Sequence, residues 1–197
     1  MPAAARKITQ ADIIPDEAFR AERKARRAAL KPIKALRRIA LGPWCTVYFE
    51  CFETMLFQVQ EMLLVEKGGA AQLADELAAY NPLIPQGREL VATVMFEIDD
   101  PVRRAAILAS LGGVEDRFYL AIGDARAPGR PEGDIERTRE DGKTSSVHFL
   151  RFALSDAQAA ALRDPAAQAM VGCDHPLYAH LAALGAPTRA ELAKDLA

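Results

Sequence analysis

Residues 37–67 read RRIALGPWCTVYFECFETMLFQVQEMLLVEK, two short strands running into a helix. Arg37 to Leu41 and Cys45 to Cys51 predict the strands, with Gly42-Pro43 as the turn between them. The second strand is rich in β-branched and aromatic side chains. Phe52 to Lys67 predicts a helix that Gly68-Gly69 stops. On a wheel of about 100° per residue, Met62, Met55, Val59, Phe52, Leu63 and Leu56 form one apolar stripe facing the core. The other side mixes Glu53, Thr54, Gln58, Gln60 and Glu61 with Phe57, Leu64 and Val65. A solvated face does not normally carry that many large apolar groups, so this side is expected to be covered by a partner subunit or to form a cleft wall. The plainer alternative is an irregular surface helix.

Upstream, Pro15-Asp16 opens a helix reaching about Leu30, which Pro32 is expected to interrupt. Residues 20–38 hold nine Lys and Arg against one acid, Glu22, although the whole chain has net charge −2. This suggests a basic helical arm over 1–36 and a single body over 37–197. Downstream, Ala70 to Tyr80 predicts a helix and Leu90 to Ile98 a central strand. Asp100-Pro101 caps a helix to Leu111, and a strand over Arg117 to Ile122 leads into a flexible loop, 123–134. Asp141-Gly142 signals a two-residue hairpin between Ile135–Glu140 and Lys143–Leu154. Ser155 caps a helix, Ala169 to Cys173 is a short strand, and short helices finish the chain. Strands and helices mix without βαβ alternation, so the fold class is α+β, a largely antiparallel sheet with helices packed on it.

With 50% hydrophobic and 26% charged residues, the 197-residue chain is neither disordered nor fibrous. Cys45, Cys51 and Cys173 show no C-x-x-C spacing, against a disulfide framework or a zinc finger. No apolar leader and no 18-residue apolar window is present, so a cytoplasmic protein with no membrane partner is expected.

Glu50, Glu53, Glu61 and Glu66 invite a carboxylate metal centre, but Glu53 and Glu61 are about 80° apart and roughly two turns apart. No Glu-x-x-His accompanies them, and no metal is assigned. In the hairpin, Arg139 would face Thr144, Arg137 would face Ser146 and Ile135 would face His148. Arg137, Arg139, Thr144, Ser146 and His148 would then share one face, two guanidinium forks beside hydroxyls and an imidazole, suited to an oxyanion. The plainer alternative is an exposed ribbon with cross-strand ion pairs. Arg151, on the other face, would need an acid such as Glu50 or Glu97. Asp174-His175-Pro176 reads as a turn, and no nucleophile elbow, P-loop, dinucleotide fingerprint or zincin motif occurs.

Several stretches together resemble the bacterial domain-of-unknown-function family 3501. They are Ala40–Pro43, Phe49-Glu50, Glu53-Thr54, Phe57–Leu63, Glu76–Asn81 with Leu83–Pro85, Arg137–Phe152, and Asp174–Pro176 with Tyr178. The resemblance covers roughly residues 8–196. It implies a small cytosolic bacterial protein linked to redox physiology, and it transfers no catalytic residue and no cofactor.

Three functions compete. In the favoured one, Arg137, Arg139, Lys143, Ser146 and His148 join Glu50, Glu53, Gln58 and Glu61 in a polar cleft for a small anionic ligand or cofactor, the chain acting as an accessory protein and forming a homo-oligomer. In the second, an enzyme uses a carboxylate with His148 or His175 for acid–base work, with or without a metal. In the third, residues 20–38 bind nucleic acid, a partner disfavoured by the acidic remainder and the scarcity of interleaved aromatics.

Overall fold

A computed structural model describes residues 6–132, Thr138 and 142–197. In chain order the helices and strands are α1 (Asp16–Arg37), β1 (Arg38–Leu41), β2 (Cys45–Phe49), α2 (Phe52–Glu66) and α3 (Gly69–Tyr80), then β3 (Glu89–Phe96) and α4 (Pro101–Ser110). There follow β4 (Phe118–Ile122), β5 (Ala125–Pro131), β6 (Val147–Ala153), α5 (Asp156–Arg163), β7 (Ala169–His175), β8 (Tyr178–Ala183) and α6 (Ala186–Leu192). The strands form one sheet in the order β1-β2-β3-β6-β5-β4-β7-β8, and every neighbouring pair is antiparallel. The α+β expectation is met.

The sheet curls until its two edges meet. The Tyr178 hydroxyl on β8 donates to the Leu41 carbonyl at 2.7 Å and accepts the N–H groups of Trp44 and Cys45 at 3.1 and 3.0 Å. The His180 ring lies against Gly42, where a Cβ would come within 2.5 Å of it and φ is +72°, so glycine serves both the turn and the close approach. The interior is filled by alternate residues such as Val47, Phe49, Val94, Leu120, Leu150, Phe152 and Val171. The helices α4, α5 and α6 add Leu108, Leu162 and Leu192 to that core. A second apolar cluster, with Met55, Val59 and Leu63 of α2 against Val91 of β3, holds α2 to the outer face. Because β3 is covered on both faces, its sequence is almost continuously apolar.

Five expectations are corrected. Pro32 does not end α1, which runs through it to Arg37. Pro32 is exposed, and the helix is held on both sides of it, by the Phe19–Phe57 edge contact (5.7 Å) and by the ion pairs of Arg37. Where a loop was expected over 123–134, residues Ala125–Pro131 form β5. Ala125–Pro128 pairs only with β4 and Gly129–Pro131 only with β6, so each proline interrupts no ladder on its open side. A further strand, β8, stands where short helices were expected. Finally, β6 pairs with β3 and β5, and Thr138 bridges Thr144, one residue out of the two-residue-turn register. That register satisfies buried Glu115, which accepts from Thr138 at 2.8 Å and Thr144 at 3.3 Å. Arg151 does lie on the outer face, but its acids are Glu89 (2.7 Å) and Glu132 (2.9 Å), not Glu50 or Glu97.

The mixed side of α2 is covered in part, and the cover is the chain's own N-terminal region, which leaves Val65 exposed. Phe57 meets Phe19, Glu61 pairs with Arg23 at 2.6 Å, and the Gln60 amide exchanges hydrogen bonds with the Ile14 backbone.

Candidate functional site

A cavity of about 410 Å³ lies between the outer face of the sheet and the helices α1, α2 and α3. Its floor follows from strand register: Tyr48 pairs with Thr93 and Thr93 with Phe149, so three outward side chains line up across β2, β3 and β6. Thr54, Met55 and Gln58 come from consecutive turns of α2, Tyr80 ends α3, and Lys34 and Arg37 belong to the last turn of α1. Glu50 sits where β2 passes into α2, its N–H bonded to the Val91 carbonyl at 2.8 Å. Its carboxylate accepts from the hydroxyls of Thr54 and Thr93, both at 2.7 Å. Burial pushes this carboxyl above the usual range, while the two hydroxyls and the cations Lys34 and Arg37 act in the opposite direction.

Arg37 is 3% exposed and ties the cavity to the C-terminal segment. It donates two parallel hydrogen bonds to Asp195, at 2.7 and 2.9 Å, and one to Glu191 at 3.2 Å. A fourth reaches the Glu50 carbonyl at 3.2 Å. Lys34, the other cation lining the cavity, has no carboxylate within ion-pair distance among the described residues and acts on Glu50 only through space.

Of the residues singled out in the sequence, Glu50 and Gln58 share this cavity. Glu53 is exposed on α2 and lines a different depression with Phe19 and Leu56. Glu61 is taken up by Arg23 and Arg27, and its hydrogen bond from Arg23 holds its carboxyl below the usual range. Lys143 and Ser146 do not line the cavity. His148 faces the sheet interior, fully buried, with Nε2 at 2.8 Å from the Ser145 carbonyl and 3.4 Å from the Thr144 hydroxyl. Arg137 and Arg139 lie outside the described residues. The other imidazole considered, His175, accepts the Leu177 N–H across the β7–β8 turn, and Asp174 points to Arg126 instead.

Lys34, Arg37, Tyr48, Tyr80 and Thr93 were not singled out as site residues. Thr93 had a signal, a hydroxyl in the apolar run Leu90–Ile98. Lys34 and Arg37 had none beyond membership of the basic segment.

Among the described residues, no three His, Cys, Asp or Glu cluster so as to hold a metal ion. The three cysteines are free and buried. Burial pushes the Cys51 thiol up to about 12 and that of Cys173 to about 11. Thiolate is the reactive form, so native protein near pH 8 is expected to leave all three unmodified by Ellman's reagent, and denatured protein to release three equivalents. A fast-reacting thiol in the folded chain contradicts this.

The family model for Protein of unknown function (DUF3501) matches residues 7–196. The chain belongs to this family. The resemblance in the quoted motifs is thereby borne out over nearly their whole span. The crystal structure of a novel protein of unknown function from Burkholderia pseudomallei K96243 is similar to this chain with a TM-score of 0.90. The two are 36% identical, and the match covers 97% of this chain and 100% of that one. No curated protein matches.

Proposed function

We propose that the chain binds a small anionic organic molecule in the cavity beneath α1 and α2. The observation that carries this reading is the meeting of Lys34 and the donors of Gln58 and Tyr80 with an apolar wall of Phe149, Met55 and Met95 in one recess. Its volume is in the ordinary range for small-ligand sites, ~300–1,000 Å³. An aromatic or alkyl body suits the floor and thioethers, and an acidic end suits Lys34. Burial raises the Glu50 carboxyl above the usual range, a direction that lessens its repulsion of an anion.

Anilinonaphthalene sulfonate, an apolar aromatic anion, is a suitable probe. Its fluorescence is expected to saturate at one site. Lys34→Glu is expected to weaken binding roughly tenfold, since charge reversal beside an anion costs at least about 1.4 kcal/mol in a partly desolvated site. Glu53→Gln, on the other depression, is expected to leave the affinity unchanged. Unsaturable binding, or equal affinity in Lys34→Glu, overturns the assignment.

A further inference from the structure

Two stripes run along α1, one residue out of phase. Phe19, Leu30 and Arg37 are buried against α2 and the sheet. Arg20, Lys24, Arg27, Lys31 and Lys34 follow a 4-3-4-3 spacing about 100° further round, Arg38 follows them where α1 passes into β1, and all six are exposed. From Arg20 to Lys34 that second stripe is about 21 Å long at 1.5 Å per residue. Between its lower half and α2 lies an open groove of about 760 Å³. Arg27, Lys31 and Lys34 line one side of the groove, and Phe57, Met62 and Val65 the other. Val65 is 68% exposed, among the most exposed large apolar side chains of the described residues.

The stripe is poorly neutralised. Arg27 shares Glu61 with Arg23, and Arg38 stands 3.6 Å from Glu97. Among the described residues no acid pairs with Arg20, Lys24, Lys31 or Lys34. Like charges three and four residues apart weaken a helix, and these four have no close ion pair among the described residues to offset that.

We infer that the groove docks an acidic amphipathic helix of a protein partner. Its carboxylates lie on the stripe and its apolar residues on Phe57, Met62 and Val65, the helix-in-groove mode of recognition. Nucleic acid fits less well. A phosphate backbone has no use for the apolar wall, and the chain is negative overall despite nine basic residues in 20–38, so the rest of its surface repels an extended polyanion.

The test is fluorescence anisotropy with a labelled synthetic helix of about 18 residues, long enough to span the stripe, with Glu along one face and Leu on the adjoining face, against the same peptide with Gln for Glu. The acidic peptide is expected to bind and the Gln peptide to bind at least tenfold more weakly. Affinity is expected to fall roughly tenfold between about 0.05 and 0.3 M salt, and by a similar factor in Lys24→Glu/Lys31→Glu. Val65→Ser is expected to weaken binding several-fold. Both lysines are exposed and line no part of the cavity, so sulfonate binding in that double variant should stay unchanged, and the two proposals fail separately. Three results overturn the docking reading: equal peptide affinity in the double variant, displacement of the peptide by a tighter-binding single-stranded DNA, or a dimer of the full chain that the double variant dissolves.

Discussion

Arg37→Met is expected to lower the unfolding free energy by about 3–5 kcal/mol, read from urea denaturation, because breaking one side of a buried ion pair leaves the other charge uncompensated. Arg37 is 3% exposed, and Asp195 is fully buried beneath it. The guanidinium satisfies both Asp195 oxygens and one of Glu191, and reaches the Glu50 carbonyl. Methionine keeps the stem and removes every donor. The chain end of α6 and the last turn of α1 then lose their common anchor, so the C-terminal segment should also become the first site of proteolysis. Replacing both partners, as in Arg37→Met with Asp195→Leu, should recover much of the loss, since a buried pair exchanged for apolar groups is often nearly neutral. A loss below about 1 kcal/mol in the single variant would show that the triad does not hold α1 to the body.

Tyr178→Phe is expected to cost about 2–4 kcal/mol in the same assay, from three backbone groups that lose a partner at about 1–3 kcal/mol for each group left unsatisfied. The hydroxyl serves the Leu41 carbonyl and the N–H groups of Trp44 and Cys45 at once. The tyrosine is 1% exposed, so water cannot readily replace it. The ring stays, packed edge-on to Phe96 at 5.5 Å, and the change isolates the hydrogen bonds. Hydrogen exchange at Trp44 and Cys45 should rise more than at β3, because the clasp closes the sheet between β1 and β8. A midpoint within error of the parent chain would mean that strand packing alone holds those edges together.

Both residues were visible in the sequence, but neither role was. Arg37 counted as one of nine basic residues in a segment, and its acids lie more than 150 residues away in the chain. Tyr178 stood out only as part of a family motif beside the Asp174-His175-Pro176 turn, and nothing local says that its hydroxyl reaches β1. The elements with strong local signals were read correctly: α2 from its apolar stripe, α4 from Asp100-Pro101, whose aspartate accepts the Arg103 N–H at 2.6 Å, and α5 from its Ser155 cap. The failures came where tertiary context overrode a local preference. Pro32 is tolerated because α1 is pinned on both sides of it. The Gly and Pro residues of β5 suit a strand whose two halves each have a single neighbour.

The candidate site divides along the same line. Glu50 and Gln58 stood out as polar groups beside apolar ones, and the cavity holds both. The hairpin face was assigned through a two-residue-turn register from which the Thr138–Thr144 bridge departs by one residue, and its two arginines lie outside the described residues. Family membership, the α+β class and the basic segment are properties of the sequence by itself, because motifs, periodicity and charge are local and additive along the chain. The closure of the sheet by Tyr178, the burial of Arg37 and the meeting of Lys34, Glu50 and Thr93 in one cavity were decided only by tertiary structure. Each depends on residues brought together across long stretches of chain, and their partners are set by packing, which no local pattern encodes.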